Sequence, residues 1–290
     1  MQRPARFQIN RNHPLAQGLK FAWLGYLPGG SRSFSSDPYN AVGIKSGDAS
    51  WGYSPELRRS CQVFDGTGDY ITISQPLGYL SFIQRTHTFG ISFWLKLDTL
   101  ARIDGILGNI SKASESGFNI HFRGDTTDLL RLDVGDGTGT TISGTSSSNS
   151  VIADANWHHV AVNGYRAAGV NVGQIIVDGV DVTASNLGRT PLSTADCTYP
   201  LLLGARNSST PTYPMDGQLC DVMIRNLPYT LNEAKLLSSR DPMIGGLIEP
   251  IGSRIYPYVS EYAPDSDPEG SLIGGKLIRG GLLLHGFLRR

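Results

Sequence analysis

Residues 88–98 read TFGISFWLKLD, and this stretch limits the fold more than any other. Phe89, Ile91, Phe93, Leu95 and Leu97 alternate with Gly90, Ser92, Trp94 and Lys96. Successive side chains of a strand point to opposite faces, so a period of two held over nine residues predicts a half-buried strand. GFNIHFRG repeats the pattern with Phe118, Ile120 and Phe122, and LLRLDVGDG with Leu130, Leu132 and Val134. WHHVAVNG, QIIVDGVDV and YPLLLGARN extend the series, and the Asp178–Gly179 pair predicts a tight type I′ hairpin. One helix is expected, in TLNEAKLLSSR, where Thr230 and Glu233 stand in capping-box spacing. Its inner stripe would be Leu231, Ala234 and either Leu237 or Ser238.

Many short strands, frequent turns and one short helix predict an all-β, two-sheet antiparallel jelly-roll sandwich. The 35 glycines in 290 residues suit such a fold. The expected organisation is an extended N-terminal arm over 1–18, the sandwich over 19–240, and a proline-rich linker with a glycine- and leucine-rich tail over 241–290. Pro242, Pro250, Pro257, Pro264 and Pro268 mark the linker. Formal charge sums to zero, so nothing global argues for nucleic acid or a membrane. No stretch of about 20 apolar residues occurs, and the opening residues lack the apolar core of a leader. Cys61, Cys197 and Cys220 are odd in number and widely separated, which predicts buried free thiols in a reducing compartment.

Six motifs in series then point to a family. FDGTGDYITI (64–73), TFGISFWLKLD, WHHVAVNG, IIVDGV, LLLGARN and MDGQLCDVMIRNLPYTLNEAKLL (215–237) occur in this order. Together they resemble the laminin-G-like, concanavalin-A-type jelly-roll domains of the lectin/glucanase superfamily. The opening NHPLAQGLKFAWL resembles the first strand of the subset carried by bacteriophage virion proteins and related bacterial genomes. One departure stands out: in GQLCDVMIRN, Cys220 occupies the place of the family's first acid. Leu219 and the Val222–Ile224 pair also differ in parity, which predicts a bulge near Cys220–Asp221.

The resemblance implies calcium at the sandwich rim, where Asp65, Asp69, Asp216 and Asp221 fall in the matching turns. Asp-Gly and Gly-Asp pairs make turns without any ion, and Cys220 removes one acid, so the expectation is no metal and no other cofactor. Glycoside hydrolysis needs two carboxyls across the scissile bond. The six glutamates, Glu56, Glu115, Glu233, Glu249, Glu261 and Glu269, do not pair on any predicted strand, so no catalytic residue is expected. His158 and His159 are adjacent, hence on opposite faces of a strand, and read as structural. Asn109 and Asn207 would be glycosylation acceptors only after secretion. Tyr53, Tyr165 and Tyr213 lie in predicted loops and could stack on sugar rings, and the sequence does not choose among them.

The last twenty residues, SLIGGKLIRGGLLLHGFLRR, divide into glycine-spaced hexads carrying nine Leu, Ile or Phe. Such short repeats bury their apolar atoms only against copies of themselves or another protein. Leu272, Leu277, Leu283 and Phe287 are the expected oligomerisation and docking residues. The combined reading is a non-enzymatic phage virion protein, a capsid decoration or fibre-like subunit, made in the host cytoplasm and displayed on the virion. Its expected partners are sister subunits (a homo-oligomer, with a trimer suggested by virion appendages), capsid or tail proteins, and cell-surface glycans, with no nucleic acid and no membrane. The alternatives are a bacterial carbohydrate-binding or adhesion module and, behind it, a glycoside hydrolase.

Overall fold

A computed structural model describes residues 7–24, 32–34, 42–76, 78–110, 115–125, 128–152, 154–206, 210–241, 244–250, 276–279 and 282–285. The chain forms β1 (Phe7–Ile9), β2 (Leu19–Trp23), β3 (Arg32–Phe34), β4 (Val42–Ser46), β5 (Ser50–Ser54), β6 (Arg59–Asp65) and β7 (Tyr70–Ser74). After the single turn α1 (Phe82–Arg85) come β8 (Phe89–Leu97), β9 (Ile103–Gly108), β10 (Ser116–Arg123), β11 (Leu129–Asp136) and β12 (Thr141–Ser147). The series continues with β13 (His158–Ala167), β14 (Val170–Val177), β15 (Val180–Asp181), β16 (Thr183–Gly188), β17 (Leu201–Leu203) and β18 (Asp216–Arg225). Helix α2 (Leu231–Leu237) and β19 (Ile248–Pro250) follow, and β20 (Lys276–Arg279) and β21 (Leu282–His285) lie in the tail.

Residues Ile9–Ile248 form one compact body. Within it a nine-stranded sheet runs β16-β12-β11-β10-β9-β17-β7-β4-β3, and an eight-stranded sheet runs β15-β14-β13-β8-β18-β6-β5 with β2 also on β18. The pairings that set this order are antiparallel. This is the two-sheet jelly-roll sandwich that the alternation predicts.

The inward faces supply the core. Phe89, Ile91, Phe93, Leu95 and Leu97 of β8 meet Phe118, Ile120 and Phe122 of β10 and Leu130, Leu132 and Val134 of β11 in one cluster. Each such side chain contributes about 1.5–3 kcal/mol on full burial. The expectation of a half-buried β8 needs correction, because Gly90, Ser92 and Trp94 are buried as well. A second layer covers the outer face of this sheet. A Cβ on Gly90 would meet the Leu227 carbonyl at 2.7 Å, and Trp94 packs with Leu57, Cys61, Trp157 and Cys220.

The bulge is where the parity change puts it. The β18–β8 register shifts between Cys220 and Met223, and Asp221 takes a φ of 48°. The kink divides β18 between two partners: Asp216–Leu219 pair with β6, and Val222–Arg225 pair with β2. The hairpin between β14 and β15 has φ of 50° at Asp178 and 78° at Gly179, the two left-handed residues that a type I′ turn requires. Helix α2 carries the full capping box. Its buried stripe is Ala234 and Leu237, while Leu231 is 47% exposed, so the first turn packs less than its sequence implies. Helix α1 was not expected: it is four residues long, without a side-chain cap bond, and leaves no periodic signal.

A separate unit comprises residues 1–8 and 249–290. In it β20 and β21 pair antiparallel, with Leu277 opposite Leu284 and Ile278 opposite Leu283. Leu272 and Phe287 lie outside the described residues.

Candidate functional site

Because Phe118, Ile120 and Phe122 of β10 point into the core, Asn119, His121 and Arg123 point to the outer face of the nine-stranded sheet. Register places His121 beside Arg131 and Asn119 beside Asp133 of β11. On the other side His121 faces Gly105 and Asn119 faces Gly108 of β9. The glycines let another segment lie on the sheet: a Cβ on Gly105 would come 2.2 Å from the Arg206 amide nitrogen. That segment is held by a two-way backbone bridge between Arg206 and Thr212 (2.9 and 3.0 Å), and the Gly105 N–H donates to the Tyr213 carbonyl at 2.8 Å.

His121 and Asn119 are thus 2% and 1% exposed although they sit on an outer face. The Asn119 amide lies 2.8 Å from Nδ1 of His121, and its Oδ1 is buried without a hydrogen-bond partner. Burial pushes His121 well below the usual imidazole range, and Arg206, Arg131 and Arg123 push it further, so its ring is neutral near pH 7. The same burial lowers Arg206, with Asp133 and Tyr213 opposing. Arg131 bonds Asp133 at 2.9 Å, and Arg123 bonds Asp125 at 3.1 Å. Three guanidiniums thus gather on one outer face of the sheet, around His121. The Arg206 guanidinium lies 5.3 Å from the Tyr213 ring centre, and Tyr213 is 46% exposed. Guanidiniums offer paired donors to carboxylate or sulfate groups, and a half-exposed tyrosine offers a stacking surface. Of the three candidate tyrosines, only Tyr213 lies among these arginines. Tyr53 is 65% exposed on β5, and Tyr165 is half-buried on β13.

The rim acids fall into two places. Asp48, Asp65 and Asp69 bring carboxylate oxygens within 4.8 Å of one another, and Asp69 is buried. Its two oxygens accept the backbone N–H groups of Asp48 (2.8 Å) and Asp65 (3.2 Å). Burial raises its pKa while those bonds oppose the rise. Asp216 pairs with Asp65 across β18 and β6 and accepts the Thr99 hydroxyl. Asp221 is elsewhere, buried in an ion pair with Arg59. The four acids of the sequence therefore do not form one set: Asp221 is tied to Arg59, while Asp65 and Asp69 gather with Asp48 at the rim.

His158 and His159 serve different sides, as alternation requires. His158 bridges Asp178 (2.7 Å) and Asp154 (2.8 Å), while His159 is buried edge-on to Trp94 at 5.4 Å. Asn109 is buried and accepts the Phe118 N–H at 2.9 Å, and Asn207 lies outside the described residues. Glu233 is bonded to Arg225 at 2.7 Å. All three cysteines are free and buried. The arginine cluster escaped the sequence reading because its members come from three separate stretches. The available signal was charge at the outward positions of GFNIHFRG and LLRLDVGDG.

A family model described as "Concanavalin A-like lectin/glucanases superfamily" matches residues 65–235. No curated protein sequence matches the chain. Among solved structures, the binding domain of botulinum neurotoxin serotype D/C is similar at a TM-score of 0.58 and 11% identity, over 80% of this chain and 52% of that one. The receptor-binding domain of botulinum neurotoxin type G gives 0.52 and 14%, over 76% and 51%. The binding domain of botulinum neurotoxin DC, solved in complex with rat synaptotagmin II, gives 0.57 and 11%, over 80% and 52%. The chain thus spans about half the length of these structures, and at such identity the likeness is one of fold.

Proposed function

The chain belongs to the concanavalin A-like lectin/glucanases superfamily, and on that premise we propose that it is a non-enzymatic binding protein that recognises acidic saccharides. The observation that carries this reading is the convergence of Arg123, Arg131 and Arg206 on His121 beside the exposed Tyr213. The sheet fixes the register of two of these arginines, and the glycine at 105 lets the third lie over it, so the donors are ordered before a ligand arrives. The neurotoxin domains of the same fold are receptor-binding by description, which accords with a recognition role. Support for a non-enzymatic reading comes from the acids: Asp69 holds two backbone amides and Asp221 is tied to Arg59, which leaves neither free for general acid or base work. The protein needs no resident cofactor in this reading.

An array of sulfated, sialylated and neutral oligosaccharides, probed with the full chain, tests the proposal. Acidic sugars should bind and neutral ones should not, and Arg131→Ala should weaken binding about tenfold or more. Binding that ignores the arginine, or that prefers neutral sugars, overturns it.

For the setting, we propose a structural component of a phage virion, a capsid decoration or fibre-like subunit that displays the sandwich outward and docks through its tail to sister subunits and to capsid or tail proteins. Support comes from the glycine-spaced apolar tail and its β20–β21 hairpin, a two-stranded element that is marginal alone in water and gains from a partner. Mass spectrometry of purified particles should find the chain in stoichiometric amounts, and its absence from them would reject this setting.

A further inference from the structure

Cys61 and Cys220 are far apart in sequence, and the fold brings them together. Strands β6 and β18 pair antiparallel from Asp216 opposite Asp65 to Leu219 opposite Gln62. Continued by one step, to the edge of the β18 bulge, that register brings Cys220 opposite Cys61. Directly opposed residues of an antiparallel pair have Cα atoms about 4.5–5.5 Å apart, within the roughly 4.4–6.8 Å that a disulfide spans. The side chains point the same way. Cys220 Sγ lies 3.2 Å from the carbonyl of Ser60, the residue before Cys61, and Cys61 Sγ lies 3.8 Å from the Arg59 carbonyl. Both belong to the small cluster with Leu57, Trp94 and Trp157, and both are 2% exposed or less. Cys197 is elsewhere, its Sγ 3.4 Å from the Tyr199 carbonyl and 3.6 Å from that of Asn109.

We propose that Cys61 and Cys220 are a latent cross-strand disulfide, closed when the protein passes from a reducing compartment to an oxidising one that supplies a low-molecular-weight disulfide such as oxidised glutathione. One protein thiol loses its proton and attacks the oxidant, expelling one glutathione thiolate. The second protein thiol loses its proton and attacks the protein sulfur of the mixed disulfide, expelling the other. The oxidant's S–S bond is replaced by the Cys61–Cys220 bond, the two cysteines are oxidised, and both protons end on two glutathione thiols. Burial raises the Cys220 pKa, so the first attack needs a local opening of the corner and closure is slow in the native state. The inference is independent of what the sheet face binds. Its consequence is mechanical: the bond joins two neighbouring strands across a very long loop, the case in which a cross-link most constrains the unfolded chain.

The test is incubation of the full chain with oxidised or reduced glutathione, followed by alkylation under denaturing conditions, intact mass, peptide mapping and thermal melting. Oxidation should leave one alkylatable thiol, at Cys197, yield a single cross-linked peptide pair containing Cys61 and Cys220, and raise the melting temperature by about 5–10 °C. Cys197→Ser should show the same cross-link and the same shift, and Cys61→Ser or Cys220→Ser should show neither. Three alkylatable thiols after oxidation, persistent glutathione adducts on Cys61 or Cys220, or a cross-link that includes Cys197 would each overturn the proposal.

Discussion

The outer faces of the two sheets treat charge in opposite ways. On the eight-stranded sheet, Arg59 and Asp221 are 1% and 2% exposed and neutralise one another. Arg59 spends its remaining donors on the carbonyls of Leu57 (3.0 Å) and Asp241 (3.1 Å). On the nine-stranded sheet, Arg131 keeps 40% of its side chain in solvent while it bonds Asp133, and Arg123 bonds Asp125 with both side chains one-third exposed. A covered face must balance its charges internally, because a dehydrated ion without a partner is costly. A face open to solvent can keep its ion pairs half-hydrated until a ligand replaces the water.

This contrast can be broken by mutation. Asp221→Ala should have the largest effect, a loss of about 3–5 kcal/mol in unfolding free energy by denaturant titration, because it strands the Arg59 charge. A loss below about 1 kcal/mol would mean that the corner is hydrated and the two faces are alike. Arg131→Ala, by contrast, should cost saccharide affinity and leave the melting temperature within about 2 °C.

Between the extremes stands His158, partly exposed and clasped by two aspartates. Its pKa is raised, first by the hydrogen bond to Asp178. Asp154 is lowered to about 2 by Asn156 and then by His158, and Asp178 is lowered by His158 against the effect of its burial. A raised folded pKa means that the histidine's contribution is full below about 6.5 and fades as pH rises through the folded value. The lowered aspartates contribute above about 4 and lose their part as pH falls through their folded values. The clasp is therefore strongest between about pH 4 and 6.5. Melting temperatures measured from pH 6 to 9 should fall by a few degrees in the wild type and less in His158→Gln. Parallel curves would show that the clasp adds nothing.

The smallest effect concerns the acidic turn at Asp48, Asp65 and Asp69. Because Asp69 already satisfies two backbone amides, a calcium chelator should leave the melting temperature unchanged within about 1 °C. A rise on adding calcium to the chelated protein would return that turn to the list of binding sites.

Much of this architecture is legible one segment at a time. Strand β8 announces its inward face through five alternating residues, the Asp178–Gly179 turn announces its type, and the parity change at Leu219–Val222 announces a bulge. Each signal lies within about ten residues, where backbone geometry alone couples position to direction. The covering of the outer β8 face was not legible, since Gly90 and Trp94 meet residues remote in sequence. Nor was the arginine cluster, which needs the pairing of β10 with β11 and the placement of Arg206 over Gly105.

By itself the sequence determined the long central strands and their inward faces, the Asp178–Gly179 turn, the bulge and the capped helix, because periodicity and local hydrogen bonding act between near neighbours. Only the tertiary structure decided which charges are buried in pairs, which gather on an outer face and which thiols share one buried corner. Arg59 with Asp221, Cys61 with Cys220, and Arg123, Arg131 and Arg206 around His121 are relations between strands. Electrostatic and covalent chemistry depends on separations of a few ångströms, and distance along the chain does not encode them.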